Sequence, residues 1–180
     1  EIVKQMAENG YLGMAFPDDI GGAGLDNISY AIAMEEISAK CASCSVIMSV
    51  NNSLASDPIY NFGTTEQKEE FLRPMLQGEY LGCFGLTEPQ AGSDAAAQKT
   101  VAKKDGDHYI INGSKNWITN GPEAKIIVLF TMTKPELGNH GITAFIVDLD
   151  TPGITRDPKE LKMGIRASGA CSIHFEDVRV

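Results

Sequence analysis

The chain has 180 residues, 43% hydrophobic and 22% charged, a composition that fits one ordinary globular domain or two small ones and excludes a disordered chain. Its formal net charge of −9 and pI near 4.8 provide no basic footprint for nucleic acid or an anionic membrane, so a phosphate-bearing ligand must be met by local donors. The longest apolar runs, such as IIVLF at 126–130, fall far short of the roughly 20 residues that cross a bilayer, and no membrane insertion is expected.

In chain order the first part reads as helices. Ile2 to Asn9 has the pattern of a helix end stopped by Gly10, and the loop FPDDIGGAGLDN leads to a long helical pattern from about Ile28 into the forties. Within that loop GGAG at 21–24 lacks dinucleotide-loop spacing and follows no strand, so it reads as a plain loop. Tyr30, Ala33, Met34, Ile37, Cys41, Cys44, Ile47 and Met48 recur in steps of three and four. They predict one continuous apolar stripe that takes both thiols of the C-x-x-C pair into the core. Cys83 and Cys171 stand alone, so no metal site is expected, and four free thiols suit a reducing compartment. Thr64 and Gln67 have the spacing of a capping box ahead of a further helix, which Pro74 should kink or shorten and Gly78 should end.

From Tyr80 the period changes to two. YLGCFGLT, HYIIN, NWIT, KIIVLFTMT, ITAFIV and SIHFE are β-prone runs separated by turn signals at Asp105-Gly106, Asn112-Gly113, Asn120-Gly121 and Gly138 to Gly141. Hairpins in series predict a small antiparallel barrel or sandwich rather than a parallel sheet. The expected fold class is α+β, with a helical segment at 1–80 followed by a small antiparallel β-barrel domain at 81–180. The chain starts inside a helical pattern and stops directly after a strand-like run, so it reads as an excerpt of a longer polypeptide. His108, His140 and His174 are spread over β segments without metal-ligand spacing and read as structural or exposed.

Two polar segments interrupt this β pattern. FGLTEPQAGSD, Phe84 to Asp94, places two hydroxyls, two carboxylates and two glycines in one loop, and KNWITNG carries the only tryptophan of the chain, Trp117, close to Thr119. Glycine lets a backbone approach a ligand closely, and Thr87 and Ser93 both donate and accept, a combination suited to a polar, planar heterocycle and a phosphate. A flavin ring needs partners along its pyrimidine edge and at its bridging nitrogen and a flat side chain against one face, which Trp117 and Thr119 can supply. Taken from the residues alone, both segments can equally be plain hairpin turns.

CFGLTEPQAGSDA together with GSKNWITNG resembles the signature of the acyl-CoA dehydrogenases, and the similarity extends over nearly the whole chain. VIMSVNNSL at 46–54, NFGTTEQKEEFLRPMLQGEYLGCFGLTEP and the tail KMGIRASGACSIHFEDVRV are most similar to the short-chain, butyryl-CoA type. The resemblance implies FAD as cofactor, with Phe84, Leu86, Thr87, Gly92 and Ser93 wrapping the flavin and Trp117, Ile118 and Thr119 against its ring. It gives Thr87 the pyrimidine edge, Ser93 both the FAD pyrophosphate and the acyl-CoA, and Thr119 the bridging nitrogen. It places the catalytic glutamate in a C-terminal helical domain after Val180, so neither Glu88 nor Asp94 is the expected base; both are expected to organise their loop through backbone hydrogen bonds. Gln90 departs from the family, where glycine is usual, and a side chain there restricts the loop if positive φ is needed. Met48, Val50, Asn51 and Asn52 correspond to the floor of the acyl pocket, although the same residues can simply pack the core.

The implied activity is dehydrogenation of a short, butyryl-like acyl-CoA to its trans-2-enoyl-CoA in fatty-acid β-oxidation. Electron-transferring flavoprotein is the expected electron acceptor and a homotetramer or homodimer the expected assembly, in a bacterial cytoplasm or alternatively a mitochondrial matrix. Two other readings stay open at the level of sequence: a flavin oxidase or monooxygenase on the same scaffold, and a non-catalytic FAD- or CoA-binding module.

Overall fold

The computed structural model describes all 180 residues. They form two compact units, Glu1–Gly82 with Leu161–Ser168, and Cys83–Glu160 with Gly169–Val180. No helix is long and apolar enough to cross a membrane.

The helical unit opens with α1 (Ile2–Glu8), which ends as the sequence predicts at Asn9 and Gly10, the latter at φ 76°. Helix α2 (Asn27–Lys40) starts at Asp26, whose carboxylate accepts the Ser29 N–H at 2.8 Å. The continuous helix expected from Ile28 into the forties is interrupted. Cys41 takes extended angles (φ −152°, ψ 93°), closes α2 and starts α3 (Ala42–Ser49). Tyr30, Ala33, Met34 and Ile37 of α2 and Cys44 and Ile47 of α3 nevertheless pack on one cluster with Met6, Leu12, Met14 and Met48. The apolar stripe thus serves one core from two helices, and Cys41, half-exposed at the elbow, is the member that leaves it.

Helix α3 widens into a π-helical segment, Val50–Ser56, before α4 (Asp57–Phe62). The extra residue per turn brings two adjacent amides inward together, Asn51 at 0% and Asn52 at 5% exposure. Asn51 accepts the Gly82 N–H at 3.0 Å, and Asn52 donates to the carbonyls of Tyr11 and Met48, both at 2.9 Å. Asn51 and Asn52 therefore tie segments of this core together, as Met48 and Val50 pack it. Both bonds of the expected capping box are present ahead of α5 (Thr65–Gln67): Thr64 N–H to Gln67 Oε1 at 3.0 Å and Gln67 N–H to Thr64 Oγ1 at 3.2 Å. A second π-helical segment, Lys68–Leu72, runs without a break into α6 (Arg73–Leu76), so Pro74 lies inside a helical run, and the Tyr80 hydroxyl donates at 3.3 Å to the Glu70 carbonyl that an N–H at residue 74 would otherwise meet. Gly78 then stops the helix at φ 74°, and an added Cβ there would meet the Ala7 Cβ at 2.1 Å.

The second unit is a curled, seven-stranded sheet: β1 (Gly82–Gly85), β2 (Val101–Asp105), β3 (His108–Thr119), β4 (Ile126–Met132), β5 (Ile142–Asp148), β6 (Ile154–Arg156) and β7 (Ala170–Arg179). Neighbours run β1-β4-β2-β3-β7-β6, with β5 on β4. The pairs β2–β3, β3–β7, β4–β5 and β6–β7 are antiparallel, and β2 meets β4 in parallel at Val101 and Met132; β1–β4, β2–β4 and β3–β7 join strands that are not consecutive and so depart from a series of hairpins. Cys83, Ile111, Ile118, Ile127, Leu129, Ile173, Phe175 and Val178 fill the core, each fully buried large side chain contributing about 1.5–3 kcal/mol.

Asn112-Gly113, predicted to be a turn, lies inside β3 instead. Opposite it β7 carries a bulge, because Ile111 and Gly113 pair with Val178 and Phe175. Asp177 takes φ 50° within that bulge, and the Asn112 side chain accepts its N–H and donates to its carboxylate, both at 3.0 Å. Gly113 is required because a Cβ would lie 2.7 Å from the Thr100 Cα.

Candidate functional site

The eight residues named from the sequence come together on β1, the loop that follows it, and the end of β3. Register on β3 explains the second group. Lys115 pairs with Ile173 and Ile118 with Cys171, so β3 carries one more residue than β7 across this interval. That bulge forces Trp117 to φ 59°, a region bulky side chains avoid at a cost of order 1–3 kcal/mol. The strained residue is also 59% exposed. Folding thus spends backbone energy to hold an indole where it packs on little of the protein. Thr119 is half-buried beside it, whereas Ile118 is 2% exposed and packs in the sheet core, leaving only its backbone for a ligand.

The loop after β1 is built around Glu88. Glu88 N–H donates to the Ala91 carbonyl at 3.0 Å and Ala91 N–H to the Glu88 carbonyl at 3.1 Å, making Glu88-Pro89-Gln90-Ala91 a tight turn. Gln90 is not at positive φ, so the glycine usual at that position is not needed for this backbone. Its side chain instead donates to Glu88 Oε2 at 2.6 Å. The same carboxylate, in a residue 4% exposed, accepts the backbone N–H groups of Lys99 at 2.6 Å and Thr100 at 2.9 Å and the Lys115 ammonium at 2.8 Å. Lys115, at 0% exposure, spends its other two protons on the Leu86 carbonyl at 3.0 Å and Gln98 Oε1 at 2.9 Å. Burial alone would raise the Glu88 carboxyl, but Lys115 and the amides of Lys99 and Thr100 override it and hold its pKa at about 2. Burial pulls the Lys115 pKa down, opposed by Glu88.

This knot defines what Glu88 can do. A carboxylate with all its acceptor positions filled and its proton affinity depressed is a poor base, which agrees with the expectation that it organises the loop. Through Lys115 it also joins the loop to β3, and Asn116 N–H donates to the Thr87 carbonyl at 2.8 Å to make a second link. Lys115 was not singled out in the sequence, although the period of two from Ile111 places it on the inward face.

What the knot leaves free is the polar equipment the sequence pointed to. The hydroxyls of Thr87, Ser93 and Thr119 are taken up by no hydrogen bond within the chain. Gly92 is exposed, with nothing within 4 Å of an added Cβ, and Phe84 leans on Phe130 with ring centroids 5.0 Å apart. A planar indole, unclaimed hydroxyls and an open glycine on a rigid support match the donor set a flavin requires.

Comparison with known proteins gives a consistent result. Residues 1–79 match the family description "Acyl-CoA dehydrogenase, N-terminal domain" and residues 83–178 match "Acyl-CoA dehydrogenase, middle domain". The mitochondrial short-chain specific acyl-CoA dehydrogenase of Bos taurus is 52% identical over 178 residues, covering 99% of this chain and 43% of its own length. The structure of butyryl-CoA dehydrogenase from Megasphaera elsdenii superimposes with a TM-score of 0.95 at 45% identity, over 99% of this chain and 48% of that one. A glutaryl-CoA dehydrogenase from Mycobacterium smegmatis, in complex with FADH2, gives a TM-score of 0.93 at 37% identity over 99% of this chain and 45% of its own. The chain spans under half the length of each of these relatives.

Proposed function

Because the chain belongs to the acyl-CoA dehydrogenase family, spanning its N-terminal and middle domains, we propose that the whole protein is an FAD-dependent enzyme that dehydrogenates a short acyl-CoA between Cα and Cβ. The observation that carries this reading is the strained, exposed Trp117 held beside Thr119 and tied through Lys115 to the loop of Thr87 and Ser93. When bound, FAD supplies a two-electron acceptor for hydride.

The chain's own residues bind and orient. Thr87 would hold the pyrimidine edge of the flavin, and Ser93 would meet the pyrophosphate and the acyl-CoA. Trp117 would lie against the ring and Thr119 would reach its bridging nitrogen. Phe84, Leu86, Gly92 and Ile118 complete the wall, Gly92 by permitting close approach and Ile118 through its backbone. Donors along that edge would favour negative charge on a bound ring, the same logic by which preorganised dipoles stabilise developing charge. Glu88 keeps the loop in shape and takes no proton.

The proposed substrate is a butyryl-like acyl-CoA, in keeping with relatives named for short-chain and butyryl-CoA substrates. The proposed electron acceptor is an electron-transferring flavoprotein, and the proposed assembly a homotetramer or homodimer. The proposed location is a bacterial cytoplasm or a mitochondrial matrix, in keeping with relatives from bacteria and from mitochondria. Mixing the full-length holoprotein with butyryl-CoA in the absence of oxygen should bleach the visible flavin band. No bleaching with butyryl- or octanoyl-CoA, or steady peroxide formation in air at the rate of turnover, would overturn the reading.

A further inference from the structure

Cys41 and Cys44 stand apart from the other two cysteines of the chain. Cys83 and Cys171 are fully buried in the sheet core, where burial pushes both thiols up, Cys171 to about 11. Cys41 and Cys44 are half-exposed and span the first turn of α3. Cys41 occupies the position before the helix in extended conformation, and Cys44 sits three residues on. Cys44 N–H donates to the Cys41 carbonyl at 3.0 Å, closing a turn whose end Cα atoms lie within the reach of a disulfide. The neighbouring Cys44 thiol, with the Cys44 and Ser43 amides, lowers the Cys41 thiol; burial raises that of Cys44.

We infer that Cys41 and Cys44 form a reversible dithiol–disulfide site at the α2–α3 elbow, oxidised by a low-molecular-weight disulfide. The Cys41 thiolate attacks one sulfur of the added disulfide, forming a mixed disulfide and expelling one thiolate. The Cys44 thiolate then attacks the Cys41 sulfur and expels the second. Two electrons pass to the added disulfide, which leaves as two thiols, and the two protein protons go with them. The bridge pins the first turn of the helix that widens into the Asn51–Asn52 segment.

The test uses the native full chain with oxidised glutathione, followed by maleimide trapping and intact mass. Two of the four thiols should disappear with no glutathione retained, peptide mapping should join Cys41 to Cys44, and dithiothreitol should restore all four. Cys44→Ser should trap a glutathione mixed disulfide at Cys41, at least about tenfold faster than Cys41→Ser reacts at Cys44. Persistent protection of Cys83 and Cys171 shows that each variant is folded. Four thiols left free in the wild type, or equal rates in the two variants, would overturn the inference.

Discussion

Replacing Lys115 by Met leaves the Glu88 carboxylate buried with only its amide donors, and replacing Glu88 by Gln leaves a buried ammonium without its counter-ion. Each single change should cost about 3–5 kcal/mol in urea unfolding, since an uncompensated buried charge is left behind. The double variant E88Q/K115M should lose at least about 1 kcal/mol less than the sum, because neither charge remains. The pair also sets an acid limit. Glu88 stays ionised in the fold down to about 2, against 4.5 for an unperturbed glutamate, so between those values the unfolded chain binds more protons. The stability Glu88 contributes is therefore complete above 4.5 and lost as the pH falls toward 2, and Glu88→Gln should remove that part of the slope in an acid titration followed by circular dichroism. Lys115 escaped the sequence reading because lysine reads as solvent-facing, and only its partner across the loop makes its burial tolerable. Thr87, Ser93 and Trp117 could be proposed from the sequence only because the family signature carries them, since hydroxyls, glycine and an indole between β runs equally suit plain turns.

At the scale of elements, the sequence was readable wherever a single local rule decides the outcome. Thr64 and Gln67 satisfy each other's helix end, so Thr64→Ala should lower stability by about 1 kcal/mol and fray α5, measurable as faster amide exchange at Gln67. Elements set by distant partners were not readable. Strand β2, with sequence VAKKD, is exposed at Lys103, Lys104 and Asp105 and is held by its pairing to β3 rather than by propensity. Strand β6 has three residues and exists through its partner β7. Asn112-Gly113 has the composition of a hairpin turn, yet the bulge in β7 and the close approach of Thr100 put it to work inside a strand. The break at Cys41 was hidden because residues on both sides of it keep their apolar spacing and their common core.

At the scale of the molecule, the change of hydrophobic period near residue 80 announced a helical part followed by an antiparallel β part. The acyl-chain preference follows from no spacing rule, because Met48, Val50, Asn51 and Asn52 all have packing or hydrogen-bonding work to do in the helical core. It is decided by comparing kcat/KM of the full-length enzyme for butyryl- and octanoyl-CoA, where butyryl-CoA should give the higher value.

The bulge at Trp117 carries a consequence for selection. Glycine at 117 would relax φ 59° at no steric cost and remove an exposed indole, so the apoprotein should gain stability from it, up to about 1 kcal/mol in thermal melts. A library screened only for heat resistance without flavin will therefore enrich glycine at this position and discard the proposed platform for the ring. On the function proposed above, the indole survives only under a selection in which the flavin is present, so a residue that strains the empty scaffold is kept for the ligand and not for the fold.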